Sequence, residues 1–320
     1  MVQALLIANA PTLFGDPYCH GWVTPAIPLI LVQMVRMGGG PEADSATTLV
    51  MVRTITAFTI LCAGLFLVMG MSGLGRVAVE RVPIPIKSGI ILGAAIAAFL
   101  HEFVEARSYL MRTPISALTC VVVSLVLMFS LPVARLRARI PLVAIIVALG
   151  LAPGFVVAMA VGHFTGEVTF DPQPGLQWPP FQEMWDQLSP FSAAVGFPTV
   201  EMFVQMIPFA IVVYIIAFGD IITGDAIVRE ASKYRPDEKI ELNATRTHYN
   251  LSIRNALQVA VAGPFPVIHG PLWTGVHVIV AERYKQGRKA MQSFFSGTSA
   301  YYFWGIPILY FVRPVTSFLE

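Results

Sequence analysis

The chain has 320 residues, 56% of them hydrophobic and only 12% charged, with a formal net charge of +2. A soluble domain carries about 25% charged residues, so this composition argues against a water-soluble globular protein and for a chain embedded in a bilayer. A nucleic-acid-binding surface is excluded because the basic residues are confined to the connections between apolar runs.

Residues 1–14 carry no basic stretch ahead of an apolar one, so no cleavable signal peptide is expected. The segment YCHGWVTPAIP, residues 18–28, is apolar but broken by Pro and Gly, and it runs on into helix-compatible residues 29–35. Loop 38–48 carries Glu42 and Asp44 as its charges. Long apolar runs then follow at 54–71, 84–100, 115–133, 140–162, 202–228 and 294–312. Each approaches the roughly 20 residues that a membrane-crossing helix needs. A shorter run, 251–262, leads into a second broken segment, GPFPVIHGPLWTG at 263–275, which continues into 276–281. Together these predict about nine spans. Cys19, Cys62 and Cys120 lie in or near apolar runs without metal-ligand spacing and read as small core residues.

Charge placement predicts an orientation. Arg76, Arg81 and Lys87 share one connection, and Arg135, Arg137 and Arg139 another. Arg229, Lys233, Arg235, Lys239 and Arg246 fall in a third, an ordinary solvated loop by its composition, and Arg283, Lys285, Arg288 and Lys289 in a fourth. These connections alternate with base-poor ones. Loop 163–199 has no Lys or Arg but does have Glu167, Asp171, Glu183 and Asp186, and its Pro and Trp content suits an interfacial cap. The positive-inside rule makes the basic connections cytoplasmic. The two broken segments then run in opposite senses, as an inverted-topology repeat requires. Unwound backbone at membrane depth survives only where protein or a cavity satisfies it. The expected fold is therefore an all-α integral membrane protein, an inverted-repeat transporter with two broken strand-plus-half-helix segments.

Polar residues at membrane depth mark the candidate site. A carboxylate there costs on the order of 2.5–3.5 kcal/mol on insertion scales and must face a cavity or a partner. Asp220 falls near the middle of run 202–228 and Asp225 nearer its cytoplasmic end, and both are candidates for the coupling ion or proton. Thr223 follows Asp220 by three residues and shares its helix face. Asn250, Arg254 and Gln258 recur every four residues as one polar stripe. That stripe either pairs with Asp220 or Asp225 to hold two helices together or touches substrate directly. In the broken segments, Trp22, Val23, His269, Gly270, Leu272, Trp273 and Thr274 are the expected lining of the substrate cavity. His20, His269 and His277 invite a metal centre with Asp220, but they lack a ligand spacing such as His-Glu-x-x-His. No metal or other cofactor is expected. His101, His163 and His248 sit at run ends and read as interfacial.

These features resemble the seven-plus-seven inverted-repeat permeases, which include uracil/xanthine permeases and sulfate permeases. Residues 18–28 resemble the third span of that family through Tyr18, Trp22 and Pro28. Residues 71–100 resemble its fourth-to-fifth passage, 208–228 its eighth span, and 263–275 its tenth through Gly263, Pro266 and Gly275. The resemblance implies a core that carries substrate and a gate near a partner subunit. On this chain that means a core at 1–75 and 199–320, gate-like helices at 76–165 and an outer loop at 166–198, in a homodimer. Asp220 falls close to the family's eighth-span carboxylate, whereas the tenth-span glutamate of nucleobase permeases is Leu272 here. The sulfate-permease side binds anions mainly with half-helix N-termini, which the backbone after Pro25 and Gly270 would supply. In family terms the chain lacks spans one and two and all that follows span eleven.

The expected function is secondary active transport of a small organic or inorganic anion or nucleobase-like molecule across the plasma (inner) membrane, coupled to H⁺ or Na⁺. The competing expectations are a membrane-embedded metal-dependent enzyme and a channel or sensor on the same fold.

Overall fold

In a computed structural model, the described residues are mainly 43–81, 109–140, 152–169, 173–264, 280–291 and 310–313, with short stretches and single positions between 13 and 143. Ten helices are defined among them, and no strand. The one β-type pairing is an isolated antiparallel bridge between Leu176 and Val312. Both broken segments, 18–28 and 265–275 of the second, lie outside the described residues.

Helix α1, Ser45–Met71, begins where Asp44 accepts a hydrogen bond from the Thr47 N–H at 2.7 Å. Such a cap satisfies one of the donors that a helix start leaves open. Thr54, Thr56 and Thr59 point inward, and each hydroxyl donates to the carbonyl four residues earlier at 2.8 Å. A buried hydroxyl is thereby satisfied within the helix, at no cost to its neighbours. Among the described residues, α1 is the one helix long and apolar enough to cross a membrane. Helix α2, Leu74–Arg81, follows after a turn in which Gly73 adopts a positive φ.

Helices α3, Tyr109–Arg112, and α4, Pro114–Phe129, come next. The apolar run 115–133 predicts one span, but the helix stops at an extended Ser130 and restarts as α5, Leu131–Arg139. Pro132 explains the break: it has no N–H to continue the ladder, and its ring displaces the carbonyl one turn back. Helix α6, Ala152–Thr165, packs along α4. Then come the short α7, Phe181–Leu188, and the long α8, Val200–Ser232, which is capped by Thr199 and continues through Pro208. Helix α9, Ala244–Ala262, is capped by Asn243, and α10 is Arg288–Met291.

The chain divides into two units. One comprises residues 1–95 and 176–312, the other 96–175 and 313–320. In the first, α1 packs on α8 and α9. Phe58, Cys62 and Phe66 of α1 close with Met206, Ala210, Val213, Tyr214, Ala217 and Ile221 of α8 and with Leu251 of α9. In the second, α4 and α6 approach through small residues. A Cβ on Gly154 would lie 2.2 Å from the Ser124 hydroxyl and 2.9 Å from the Cys120 carbonyl, and one on Gly162 would lie 2.2 Å from the Ser116 hydroxyl. Only glycine lets the two backbones come this close.

Candidate functional site

The site is organised by α9. The four-residue spacing of Asn250, Arg254 and Gln258 puts them on one face, and all three are buried. Thr247, His248, Ser252 and Asn255 are buried with them, so the interior side of this helix is almost wholly polar. Arg254 heads the largest fully buried side chains among the described residues. Asn255 satisfies its amide locally by donating to the Leu251 carbonyl at 2.9 Å. Gln258 donates to the Gly263 carbonyl at 3.2 Å, which ties the last turn of α9 to the residue that ends it.

Gly263 is where the second broken segment begins, and glycine is required there. Its φ of 82° and ψ of −170° lie in a region that side-chain-bearing residues avoid. An added Cβ would also meet the Leu188 carbonyl oxygen at 2.6 Å. The end of α9 is thus set by backbone conformation and by close packing on the end of α7.

His248 was expected at an interface and is instead fully buried. Its Nδ1 lies 2.6 Å from the Ala244 carbonyl, which can only accept, so Nδ1 carries the proton. In the neutral ring Nε2 is then the acceptor, and the Tyr214 hydroxyl donates to it at 2.8 Å. Phe66 completes the group, with ring centroids 5.2 Å from Tyr214 and 5.7 Å from His248. Room for the imidazole comes from Gly75, where a Cβ would sit 2.5 Å from Nε2. The burial reflects tertiary packing: α1 and α8 extend past the end of the apolar run and cover this turn of α9.

The carboxylates expected to carry coupling both lie on α8. Asp225 is half-buried and forms an ion pair with exposed Arg229, one turn further on. Asp220 and Thr223 belong to the same helix, and the roles expected of their side chains fall outside the described residues. Trp22, Val23, His269, Gly270, Leu272, Trp273 and Thr274 also lie outside them.

Two charged residues play parts that composition did not reveal. Arg235 sits in a connection expected to be solvated, yet it is buried. Its guanidinium makes paired 2.8 Å bonds to Asp237, bonds Glu238 at 3.0 Å and stacks 4.7 Å over the Tyr284 ring. This fork fastens the loop after α8 to residues 280–285. Glu167, in the loop after α6, caps α4: it accepts from the Ile115 N–H at 2.8 Å and from both the N–H and hydroxyl of Ser116 at 2.7 and 2.8 Å. Burial pushes its pKa up, but those three hydrogen bonds outweigh it and hold the carboxyl below its ordinary value.

No protein-family model matches the chain, and no curated protein sequence matches it.

Proposed function

We propose that the protein is a multi-pass membrane permease on the inverted-repeat fold, a secondary active transporter that moves a small anion or nucleobase-like molecule together with H⁺ or Na⁺. The observation that carries this reading is α9, which is polar where it is buried and apolar where it is exposed. Arg254, Asn250 and Asn255 are covered, while Ile253, Leu257 and Val261 are 42%, 40% and 53% exposed. An amphipathic helix in water has the opposite arrangement. Turning a charge inward and aliphatic side chains outward is favourable where the surroundings are as apolar as the side chains themselves. The outer faces of α4 and α8 follow the same rule, with Leu118, Val122, Leu125 and Val126 exposed on one and Val204, Ile207 and Ile211 on the other.

The buried guanidinium of Arg254 favours an anionic ligand, and half-helix N-termini after Pro25 and Gly270 would add positive ends. Asp220 is the proposed proton or sodium carrier, because a carboxylate at membrane depth changes charge readily when it is desolvated. With Asp220 protonated the cavity is net positive, and Trp22 and Trp273 would stack a planar ligand.

The test is uptake into proteoliposomes of a panel of oxyanions, carboxylates and nucleobases, under imposed pH or sodium gradients. Gradient-driven, saturable uptake of an anion is expected, and Asp220→Asn should abolish the gradient dependence while leaving the protein inserted. Uptake that is unchanged in that variant would remove Asp220 from the mechanism. Non-saturating flux would replace the transporter by a channel.

A further inference from the structure

We infer that α7 and its flanks, residues 176–197, form a membrane-interface docking surface that takes the headgroup layer of an uncharged, zwitterionic leaflet. This rests on the membrane reading and adds to it where the chain meets the water boundary, and with which lipids.

The helical repeat places Phe181, Met184, Trp185 and Leu188 on one side of α7 and Gln182, Glu183, Asp186 and Gln187 on the other. No residue of α7 is buried, so the apolar side is largely uncovered by the rest of the chain. The flanks extend it, with Leu176 and Trp178 about four-fifths exposed and Phe191 and Phe197 more than half. The rings are organised: Trp178 meets Phe181 edge-on at 5.9 Å and Phe311 at 5.5 Å, and Phe197 lies between Phe191 and Phe203 at 6.4 and 6.2 Å. The segment is also anchored at both ends. The Gln177 N–H donates to the Phe311 carbonyl at 2.9 Å, and Leu188 is held against Gly263. This is an ordered platform that presents aromatic side chains outward.

Two features select the occupant. The apolar side is continuous in sequence with an exposed stripe on α8, Val200, Val204, Ile207, Ile211 and Ile215, spaced to lie along one face. That stripe is the proposed lipid-facing surface, so the aromatic platform falls at its end, where Trp and Phe suit the headgroup boundary. Charge decides the lipid type. No Lys or Arg occurs from residue 140 to 228, whereas anionic leaflets are recognised by basic clusters. The polar side of α7 instead carries Glu183 and Asp186, braced by Gln187 at 3.2 Å and Gln182 at 3.1 Å. These carboxylates stand toward water and disfavour an anionic surface.

The experiment reconstitutes the full chain in phosphatidylcholine vesicles whose acyl chains are brominated either near the headgroup or near the terminal methyl. Tryptophan quenching in the natural chain is compared with that in a Trp178→Phe/Trp185→Phe variant, and the difference reports these two rings. They should be quenched more by the shallow bromines than by the deep ones, be poorly reached by aqueous acrylamide, and lose quenching when phosphatidylglycerol is enriched. Leu125→Trp, on the outer face of α4, serves as an independent probe of insertion and should respond to deep bromines. If Leu125→Trp is quenched while Trp178 and Trp185 remain open to acrylamide, the docking surface is overturned and the membrane reading stands. Rings shielded from both quenchers would place a protein partner there and also overturn it. Quenching that rises with phosphatidylglycerol would overturn the lipid selection. No bromine quenching of either probe would overturn the docking surface and the membrane reading together.

Discussion

The unit built from residues 1–95 and 176–312 closes around Arg254, Asn250, Asn255 and His248, whereas the unit around 96–175 closes on Gly154, Gly162, Ser116 and Ser124. Both expose aliphatic side chains, yet they hold their helices together by different means. The first uses polar groups that reach across or along helices, such as the Tyr214–His248 bond. The second brings two backbones into near contact and so gains from dispersion and short range. The difference separates chemistry from scaffolding. Charge, titratable rings and amide dipoles are gathered in the unit that holds the candidate site, and the other carries a tight apolar seam suited to moving or resisting as one piece.

Four substitutions or conditions test that contrast. The largest effect is expected at Arg254. Arg254→Ala removes the bulkiest fully buried side chain and strands its polar surroundings. Such a change costs on the order of 3–5 kcal/mol, read as a lower denaturation midpoint in detergent. A midpoint that scarcely moves would mean the polar interior is not integral to the first unit.

The second unit should break by crowding instead. Gly162→Ala drives a methyl group to 2.2 Å from the Ser116 hydroxyl and 2.9 Å from Val168, and the hydroxyl is held by Glu167. Overpacking of this kind costs about 1–3 kcal/mol, and Ser116→Gly should recover part of the loss. Equal stability of Gly162→Ala and the natural chain would show that α4 and α6 have slack between them.

A smaller change is expected from Tyr214→Phe, which deletes the donor to His248 and keeps the ring. Loss of one buried hydrogen bond costs about 0.5–1.5 kcal/mol. The imidazole NMR signals should report a changed tautomer balance, while Phe66 packing persists. An unchanged imidazole spectrum would count against the assigned proton positions.

The smallest effect concerns acid. The carboxyl of Glu167 titrates lower in the folded chain than in the unfolded one. Its contribution is therefore complete above the unfolded value and is lost as pH falls through the folded value. Amide exchange at Ile115 and Ser116 should quicken over that acidic window and be quick at all pH values in Glu167→Gln, while α9 exchange stays unaffected. Acid sensitivity that is equal in both units would dissolve the distinction.

Much of this was legible from local pattern. The four-residue spacing of Asn250, Arg254 and Gln258 defines a helical stripe, and α9 carries it on its buried side. Asp44, Thr199 and Asn243 stand directly ahead of helices as side-chain caps, and Gly263 falls where α9 ends. Hydrophobic content and the placement of basic residues by themselves determined the apolar character of the chain and the segments that alternate with it, because both follow from the solvent preference of each residue alone. Other features depend on which distant segments meet. His248, at the edge of an apolar run, is polar on any scale, and only the packing of α1 and α8 over it makes it a core residue. Arg235 looks like one loop cation among five until residues 280–285 bring Tyr284 beneath it. Glu167 caps a helix that begins fifty-one and fifty-two residues earlier in the chain. Tertiary structure decided these because a hydrogen bond or a stacked ring needs its partner within a few ångströms, and sequence distance does not report that separation.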